Sequence, residues 1–361
     1  MSVDKREFDI IIWGASGFTG RLVAEYLFQK YNSKDLKWAI AGRDKPKLTS
    51  VRDIYLDTSI PILIADSFDE VSLKKITART KVICSTVGPY SKYGSLIVKS
   101  CVESCTDYCD LAGESQWIRK MIDFYHKKAE SNKVKIVNSC GFDSIPSDMG
   151  VYFIYKDILK KNLQISMRVA GAKGGYSGGT YASINNIISE ASKNKEIRKD
   201  LINPYGLNPE GEKNGPDQRD LNSVIFDKKI KKWIAPFLMA GINTKIVRRS
   251  NALSNYTYGR KFRYDEAVMT GNGFMGRLRG IMLSIPLMFL AAKPGSIMKS
   301  IFIFFHLILA KVQTKKKEKL ATLTSDSMFL TNQLLQFIKL LEIEILDMVQ
   351  LLKCLLKVLF V

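Results

Sequence analysis

The segment IIIWGASGFTG at residues 10–20 constrains the fold of this chain more than any other feature. The apolar residues from Phe8 to Trp13 are too few for a helix and too hydrophobic for a loop, so they predict a buried β-strand. Apolar residues recur at helical spacing after Gly20. Three glycines spaced three residues apart therefore lie where a strand turns into a helix.

A strand, a glycine-rich turn and a helix in this order can form a binding site for an anion. Free backbone N–H groups and the positive end of the helix dipole face such a turn. Glycine lets a pyrophosphate approach the backbone and lets the helix pack close to its strand. We therefore predict a dinucleotide-binding turn, with a purely structural turn as the alternative.

Five further apolar runs follow at intervals of about 25 residues, separated by helical patterns; they lie near Leu36, Ile60, Lys81, Tyr108 and Lys133. Strands that alternate with helices in this way predict an α/β fold, with a Rossmann-type, doubly wound parallel sheet in residues 1–150. The sequence SFDE at residues 67–70 has the form of a capping box and predicts the start of one of these helices.

The regular alternation ends after residue 150, and residues 151–276 predict a second, mixed α+β domain. We expect strands in QISMRVAGAKGG, INTKIVRRSNAL and GRKFRYDEAV, a helix in GTYASINNIISEASK, and a long polar loop in NPYGLNPEGEKNGPDQRD.

Residues 277–319 contain two apolar runs, Ile281–Ala292 and Ile301–Ala310, of 12 and 10 residues. Each run is shorter than the roughly 20 residues that a membrane-spanning helix needs. Basic residues flank both runs, which favours a C-terminal apolar hairpin that enters one leaflet of a membrane, with a pair of core helices as the alternative. Residues 320–361 form an atypical, Leu-rich amphipathic tail.

The charge of the chain is strongly and unevenly basic. The net charge is +20, but residues 1–150 carry 22 Lys and Arg against 19 Asp and Glu, a balance of only +3. The remaining +17 lies after residue 150 and indicates an anionic partner such as nucleic acid, membrane headgroups or an acidic substrate, with a solvated Lys-rich surface as the alternative. Of these partners we expect a membrane or lipid-droplet surface and no nucleic acid.

The N-terminus and the cysteines bear on where the protein acts. No apolar segment of signal-peptide length precedes the first strand, so we do not expect secretion. The six cysteines are then expected to be free thiols in a reducing compartment. Cys101, Cys105 and Cys109 lack the accompanying histidine or CxxC spacing of a metal site, so no metal is expected.

The end of the second predicted strand bears on the choice of cofactor. An acidic residue at this place binds the ribose 2′-OH of NAD, whereas an arginine accommodates the 2′-phosphate of NADP. Here Arg43 comes first and Asp44 follows it. The order favours NADP, and a plain surface arginine is the alternative.

Several motifs together resemble the saccharopine dehydrogenase-like oxidoreductases. They occur in the family's order over about residues 8–300 and are GASGFTG, AGRD, TVGPYSKYG, DLAGE, CGFDSIPSDMG, APFLMAGINTKIVRRSNAL and GRLRG. The resemblance implies an NADP-binding Rossmann domain and a second mixed domain. Animal-type members resemble proteins of lipid droplets and membranes, and bacterial relatives include reductases of complex-lipid synthesis. The likeness ends after about residue 311.

The resemblance also implies roles for individual residues. The pyrophosphate would be held by Gly14, Ser16, Gly17, Phe18, Thr19 and Gly20. Arg43 would bind the 2′-phosphate. The nicotinamide end would be lined by Val87, Gly88, Pro89 and Tyr90.

The acid/base candidates are Asp143 and Glu114, which follow strands at the carboxyl edge of the predicted sheet, where ligands bind. Helix capping is the alternative role for each. A rival constellation is Ser139, Tyr152 and Lys156, which reproduces the S-x12-Y-x3-K spacing of short-chain dehydrogenases. Against that rival, the Y-x3-K pattern also occurs within the first predicted helix, and a proline interrupts the segment.

These observations predict an NADP-dependent oxidoreductase acting on a lipid-like or amino-acid-derived substrate in lipid or glycolipid metabolism. We expect it on the cytoplasmic side of membranes or lipid droplets, with a homodimer as a further candidate assembly. The alternative is a non-catalytic, nucleotide-binding protein of the lipid-droplet or membrane surface, built on the same fold.

Overall fold

The first half of the protein is built on a parallel six-stranded sheet. The computed structural model describes residues 6–31, 35–142, 144–158, 161–171 and 178–291. The strands are β1 Phe8–Trp13, β2 Trp38–Gly42, β3 Ile62–Ile64, β4 Thr80–Ser85, β5 Asp107–Asp110 and β6 Ile136–Val137, in the spatial order β3-β2-β1-β4-β5-β6. All five pairs of neighbours are parallel. The predicted doubly wound sheet is therefore confirmed.

Helices cover both faces of this sheet; they are α1 Phe18–Lys30, α2 Lys45–Tyr55, α3 Glu70–Thr77, α4 Tyr90–Tyr93, α5 Ser95–Glu103 and α6 Ser115–Ser131. On the central strand β1, Ile11 belongs to one buried apolar cluster and Ile12 to another, because successive side chains of a strand point to opposite faces. The chain reverses its direction of winding between β1 and β4. A crevice opens there at the carboxyl ends of the strands, which is the usual ligand site of such sheets.

The capping box predicted at residues 67–70 is wrong in its position. Helix α3 begins at Glu70, and its N-cap is Asp69, whose carboxylate accepts a hydrogen bond from the Val71 N–H at 3.0 Å. Ser67 lies instead in a turn that Asp66 stabilises by accepting from the Phe68 N–H. The aspartate next to the helix therefore displaces the more distant serine as the cap.

The second half contains a smaller, mixed sheet, as predicted. Its strands are β7 Gln164–Val169, β8 Ile225–Asp227, β9 Lys232–Ala235 and β10 Arg263–Gly271, in the order β7-β10-β9-β8. Only the pairing of β7 with β10 is parallel. The helices are α7 Ile145–Ile158, α8 Gly178–Lys193, α9 Lys195–Ile202, α10 Ala240–Leu253 and α11 Gly273–Ala291. Residue 150, the predicted domain boundary, lies inside α7.

The strand predicted in INTKIVRRSNAL is wrong, because this segment forms most of helix α10. Its buried face includes the charged residues Lys245 and Arg248, which obscured the helical period. The Lys245 ammonium donates to the carbonyls of Leu201 and Gly241, and the Arg248 guanidinium pairs with Asp217 at 2.7 Å. These contacts to α9, to the helix's own first turn and to the polar loop after α9 allow charged residues on the inner face of the helix.

Helix α11 includes most of the first predicted apolar run and packs on the second sheet. Its buried positions among residues 273–285 are Gly276, Gly280 and Ser284, one turn apart. No helix within the described residues is both long and apolar enough to cross a bilayer. The second apolar run and the tail at residues 320–361 lie outside the described residues.

Candidate functional site

The glycine turn lies between β1 and α1, and it is packed too tightly for a side chain at Gly14 or Gly20. Gly14 adopts a φ of +92°, and a Cβ at this position would lie 2.5 Å from Val87 Cγ2. A Cβ at Gly20 would collide with the Gly14 carbonyl oxygen. Glycine is therefore required at both positions, one for its backbone conformation and the other for the close approach of helix and turn.

The start of α1 offers unoccupied backbone donors. Gly17 is the N-cap residue, and no side chain caps the first turn. Ser16 and Thr19 are partly exposed beside it, and Phe18 is 69% exposed. An uncapped first turn at the carboxyl edge of a parallel sheet fits a pyrophosphate, since the N–H groups and the helix dipole both favour an anion. The six residues predicted to hold the pyrophosphate thus form one continuous turn.

Arg43 and Asp44 stand at the end of β2 with different surroundings. The Asp44 carboxylate accepts from the Lys47 N–H at 3.0 Å and pairs with the Lys47 ammonium at 3.3 Å. The backbone hydrogen bond at the start of α2 lowers the pKa of Asp44. Arg43 is exposed, and no carboxylate of the described residues lies within ion-pair distance of it. The aspartate is thus used as a helix cap, whereas the arginine is free to meet a ligand.

The loop after β4 packs directly on the glycine turn. The Thr86 hydroxyl donates to the Trp13 carbonyl at 3.1 Å, and Val87 contacts Gly14. Gly88 is exposed, and Val87 and Pro89 are partly exposed beside the turn. The predicted nicotinamide end is therefore next to the predicted pyrophosphate turn.

Tyr90 differs from the other residues of this loop because its side chain enters the core. Its hydroxyl donates to the Ser85 carbonyl at 3.0 Å and accepts from the Leu111 N–H at 3.1 Å. The ring packs against Trp117, with 5.4 Å between centroids. Burial raises the pKa of this phenol well above its usual value. Tyr90 thus fixes the loop by its side chain and leaves its backbone at the crevice.

Glu114 is fully buried and binds two elements through both of its carboxylate oxygens. Oε1 accepts from the Tyr90 N–H at 2.6 Å and from the Ser183 hydroxyl at 2.9 Å. Oε2 accepts from the Ser91 N–H at 3.1 Å and from the Ser91 hydroxyl at 2.7 Å. Because Tyr90 and Ser91 begin α4, this geometry favours the helix-capping alternative for Glu114.

The same polar network extends along α8 of the second half. The Asn186 amide donates to the Ser91 hydroxyl at 2.6 Å and to Glu190 at 2.7 Å. Gln116 donates to the other oxygen of Glu190 at 3.2 Å. A Cβ at Gly88 would lie 3.7 Å from the Ser183 hydroxyl, so α8 also reaches the exposed part of the loop after β4. Helix α8 therefore forms one wall of the crevice.

The other acid/base candidate, Asp143, lies outside the described residues. Its neighbour Ser144 is buried and donates to the Asn243 side chain on α10 at 2.8 Å.

The residues of the rival short-chain dehydrogenase constellation have unlike surroundings. The Ser139 hydroxyl donates to the Ala112 carbonyl at 2.6 Å. Tyr152 packs with the apolar cluster around Val247, and Lys156 is exposed on α7. The hydroxyl of Ser139 is thus used to hold a loop, and the tyrosine packs in the second half of the protein.

Two buried carboxylates near the carboxyl edge were not singled out from the sequence. Asp110 ends β5 and accepts from the N–H groups of Ala112 and Ser139 and from the Asn138 amide, while burial raises its pKa to about 6. Burial raises the pKa of Asp148 on α7 to about 7. Asp110 could have been recognised from the sequence because it lies at the end of a predicted strand. No such feature of the sequence marks Asp148.

This chain is similar to known proteins over the first sheet and over most of the described residues. Residues 10–137 match the saccharopine dehydrogenase NADP binding domain. A Mycobacterium tuberculosis protein, provisionally named a trans-acting enoyl reductase, is 41% identical over 284 residues, 75% of this chain and 67% of the relative. A trans-acting enoyl reductase of Mycobacterium leprae is 35% identical over 288 residues, 76% of this chain and 68% of the relative.

Among solved structures, saccharopine dehydrogenase (L-Glu forming) of Saccharomyces cerevisiae aligns with 16% identity and a TM-score of 0.37. The alignment covers 56% of this chain and 38% of the yeast chain. The chain thus spans about two thirds of the mycobacterial relatives and a smaller part of the yeast protein. The match indicates a nicotinamide dinucleotide as the cofactor, and the glycine turn, Arg43 and the loop after β4 all lie within the matched residues.

Proposed function

The chain belongs to the saccharopine dehydrogenase-like family of oxidoreductases, and on that premise we propose that it uses NADP rather than NAD. This proposal rests on the different contacts of Asp44 and Arg43 at the end of β2. Asp44 is held at the start of α2 by two contacts to Lys47, whereas Arg43 is exposed and without an ion-pair partner among the described residues. A guanidinium in that position binds a 2′-phosphate through charge-assisted hydrogen bonds.

The chain's own residues would place the cofactor along the carboxyl edge of the sheet. The uncapped first turn of α1 would bind the pyrophosphate, and the loop at residues 87–89 would meet the nicotinamide, which supplies a hydride when bound. Helix α8 would close the crevice on the opposite side. Asp143 stays our candidate for acid/base chemistry, while the contacts of Glu114 support a positioning role.

We further propose that the substrate is a lipid-like compound with a carbon–carbon double bond conjugated to a carbonyl group. The support is the similarity to mycobacterial proteins that bear the name trans-acting enoyl reductase. Reduction would transfer a hydride from the cofactor to the β-carbon and a proton to the α-carbon. The second candidate function, a nucleotide-binding protein without turnover, uses the same crevice and differs only in the absence of this reaction.

The choice of cofactor is tested by titrating NADPH and NADH into the protein and following their fluorescence. We expect tighter binding of NADPH, and we expect Arg43→Ala to weaken it by about 10- to 100-fold, because one charge-assisted contact contributes roughly 1.5–3 kcal/mol. NADH binding should change little. The control is Arg52→Ala on α2, which removes a nearby arginine that already pairs with Asp53. Equal affinity of the parent protein for both cofactors would contradict the proposal.

Turnover is tested separately by following NADPH oxidation with a trans-2-enoyl thioester of long chain length. Oxidation that requires both the protein and the double bond supports the reductase. If NADPH binds but is not oxidised with any chain length or with membrane extracts, the protein is the non-catalytic alternative.

We also propose that the protein attaches to the cytoplasmic surface of a membrane or lipid droplet through residues 277–319. Support comes from α11, where only Gly276, Gly280 and Ser284 are buried among residues 273–285. Large apolar side chains on the rest of this segment are exposed; they are Phe274, Met275, Leu278, Ile281, Met282, Leu283 and Ile285. A helix whose buried residues in this segment are all small leaves its large apolar side chains in an area that water does not favour.

Flotation with vesicles and with artificial lipid droplets tests this attachment. We expect the full chain to float, and we expect a chain lacking residues 292–319 to float less while still binding NADPH. A full chain that stays in the soluble fraction with both kinds of particle would show that the apolar runs pack within the protein.

A further inference from the structure

A short basic hairpin forms one edge of the second sheet, beside α11. It consists of β8, β9 and the turn between them, and its turn carries Lys228, Lys229, Ile230 and Lys231. The Asp227 carboxylate accepts from the N–H groups of Lys229 and Ile230, at 2.9 and 3.4 Å. Arg168 on β7 pairs with the same carboxylate at 3.2 Å. The hairpin is therefore held against the sheet in one conformation.

The three lysines of this turn form no ion pair with any described residue. Lys228, Lys229 and Lys231 are exposed, and within the part of the chain that the structure describes no carboxylate lies within ion-pair distance of them. Asp227, the one acidic residue of the turn, is already paired with Arg168. The turn thus presents a concentrated positive charge to solvent, which favours an anionic partner.

Apolar side chains accompany this charge. Ile225, Phe226 and Ile230 are exposed, at 42%, 44% and 36%. A hairpin that displays both lysines and large apolar groups differs from an ordinary solvated surface, where apolar residues are scattered singly. The combination matches elements that lie at a membrane interface, with apolar groups among the acyl chains and lysines at the headgroups.

The face of the hairpin that carries Phe226 and Trp233 forms one continuous surface with α11, whereas Ile225 points to the opposite face of the sheet. The rings of Phe226 and Trp233 are 5.6 Å apart, and the Arg277 guanidinium on α11 lies 5.4 Å from the centre of the Trp233 ring. A Cβ at Gly276 would lie 3.2 Å from Trp233 Cδ1 on β9, so the helix and the hairpin are in direct contact. An aromatic residue beside arginine and lysine is typical of the membrane–water interface.

We propose that the β8–β9 hairpin binds the headgroups of anionic lipids and, with α11, forms a lipid-docking surface. This inference rests on the proposed attachment to membranes and names a second, electrostatic element of it outside the apolar runs. One inserted apolar segment gives marginal binding, and a basic patch supplies the second signal that stable attachment needs. The charge of the hairpin and the exposed apolar face of α11 favour lipid over a folded protein partner.

The test uses the full chain and sedimentation with vesicles of phosphatidylcholine alone or mixed with phosphatidylserine. The variant is Lys228→Glu, Lys229→Glu and Lys231→Glu together. We expect it to bind mixed vesicles at least about 100-fold more weakly, since each of the three lysines near an anionic surface contributes about fivefold. Binding to phosphatidylcholine alone should change little. The control variant, with the same change of charge on α6, is Lys120→Glu, Lys127→Glu and Lys128→Glu.

The possible outcomes separate a failure of the proposed role of the hairpin from a failure of the proposed membrane attachment. If the full parent chain binds neither kind of vesicle nor lipid droplets, the proposed attachment itself fails. If the parent binds mixed vesicles and the hairpin variant binds them equally well, or loses no more than the α6 variant, the attachment stands and the hairpin inference is wrong. A dimer by light scattering that the hairpin variant abolishes, without lipid dependence, would identify the surface as a contact between copies and would also overturn the inference.

Discussion

At the scale of single residues, Glu114 connects the two halves of the crevice. Its carboxylate accepts two backbone N–H groups at the start of α4 and one hydroxyl from α8. Each oxygen faces one of the two backbone donors, and a backbone N–H cannot turn into an acceptor. A neutral amide at this position must therefore direct its NH2 group at one N–H, whichever way it is oriented.

We expect Glu114→Gln to lower the free energy of unfolding by about 1–3 kcal/mol, the cost of a buried donor without an acceptor. The α4 loop should also shift, which weakens NADPH binding more than binding of 2′-phospho-ADP-ribose, because only NADPH carries the nicotinamide. Calorimetric titration of both ligands measures the ratio of the two affinities. Glu190→Gln, in the outer part of the same network, is the control and should leave the ratio nearly unchanged. Equal losses for both ligands would contradict a role at the nicotinamide end.

The residues of this site differ in how far the sequence could predict them. Arg43 and the glycine turn were predictable because a strand end and the following turn are local features. The role of Glu114 was left between catalysis and capping, because its donors lie 23, 24 and 69 positions away in the chain. Such a role depends on how elements are packed, which spacing along the chain does not give.

At the scale of elements, the strands of the first sheet were predictable and α10 was not. Parallel strands buried on both faces are continuous apolar runs, and such runs are visible in a sequence. Helix α10 carries Lys245 and Arg248 on its buried side, where burial lowers the pKa of the lysine to about 8. A helix whose inner face is partly charged has no clear apolar period, so its β-branched residues suggested a strand instead.

Helix α11 differs from α10, because its sequence indicated an apolar segment but did not show which side of the helix packs on the second sheet. The stripe of Gly276, Gly280 and Ser284 allows the helix backbone to approach the sheet closely, and the Ser284 hydroxyl donates to the Gly280 carbonyl at 2.9 Å. The bulky apolar residues are thereby left outside the packed surface. This arrangement is the physical basis of the docking surface proposed above.

At the scale of the whole molecule, the basic charge and the dinucleotide turn lie in different halves of the chain. The first half, with a balance of +3, holds the dinucleotide turn, while the excess of basic residues lies in the second half. Helix α11 also packs against α8, the wall of the crevice. A protein attached by α11 and the basic hairpin would thus hold this wall close to the lipid surface, which suits a substrate that resides in lipid.

The stability of the whole protein should depend on pH through Asp148. This residue lies on α7, the helix that follows the first sheet and precedes the second along the chain. Its Oδ2 accepts from Ser250 on α10, and burial raises its pKa to about 7, although the hydrogen bond acts in the opposite direction. The native state thus keeps this proton up to about pH 7, whereas an unfolded aspartate releases it near pH 4. Between these values the native state binds more protons, so its stability falls as the pH rises.

We expect this group to contribute a slope of at most about −1.4 kcal/mol per pH unit to the free energy of unfolding, the limit for one proton. Asp148→Asn should remove that contribution, so the variant loses less stability than the parent between about pH 4 and pH 7. Urea unfolding at several pH values in this window measures the difference. Asp110 has its pKa raised in the same direction and remains in both proteins, so only their difference reports on Asp148. Parallel pH profiles for the parent and the variant would mean that Asp148 is ionised to the same extent in the native and the unfolded protein between pH 4 and pH 7, which would contradict the prediction.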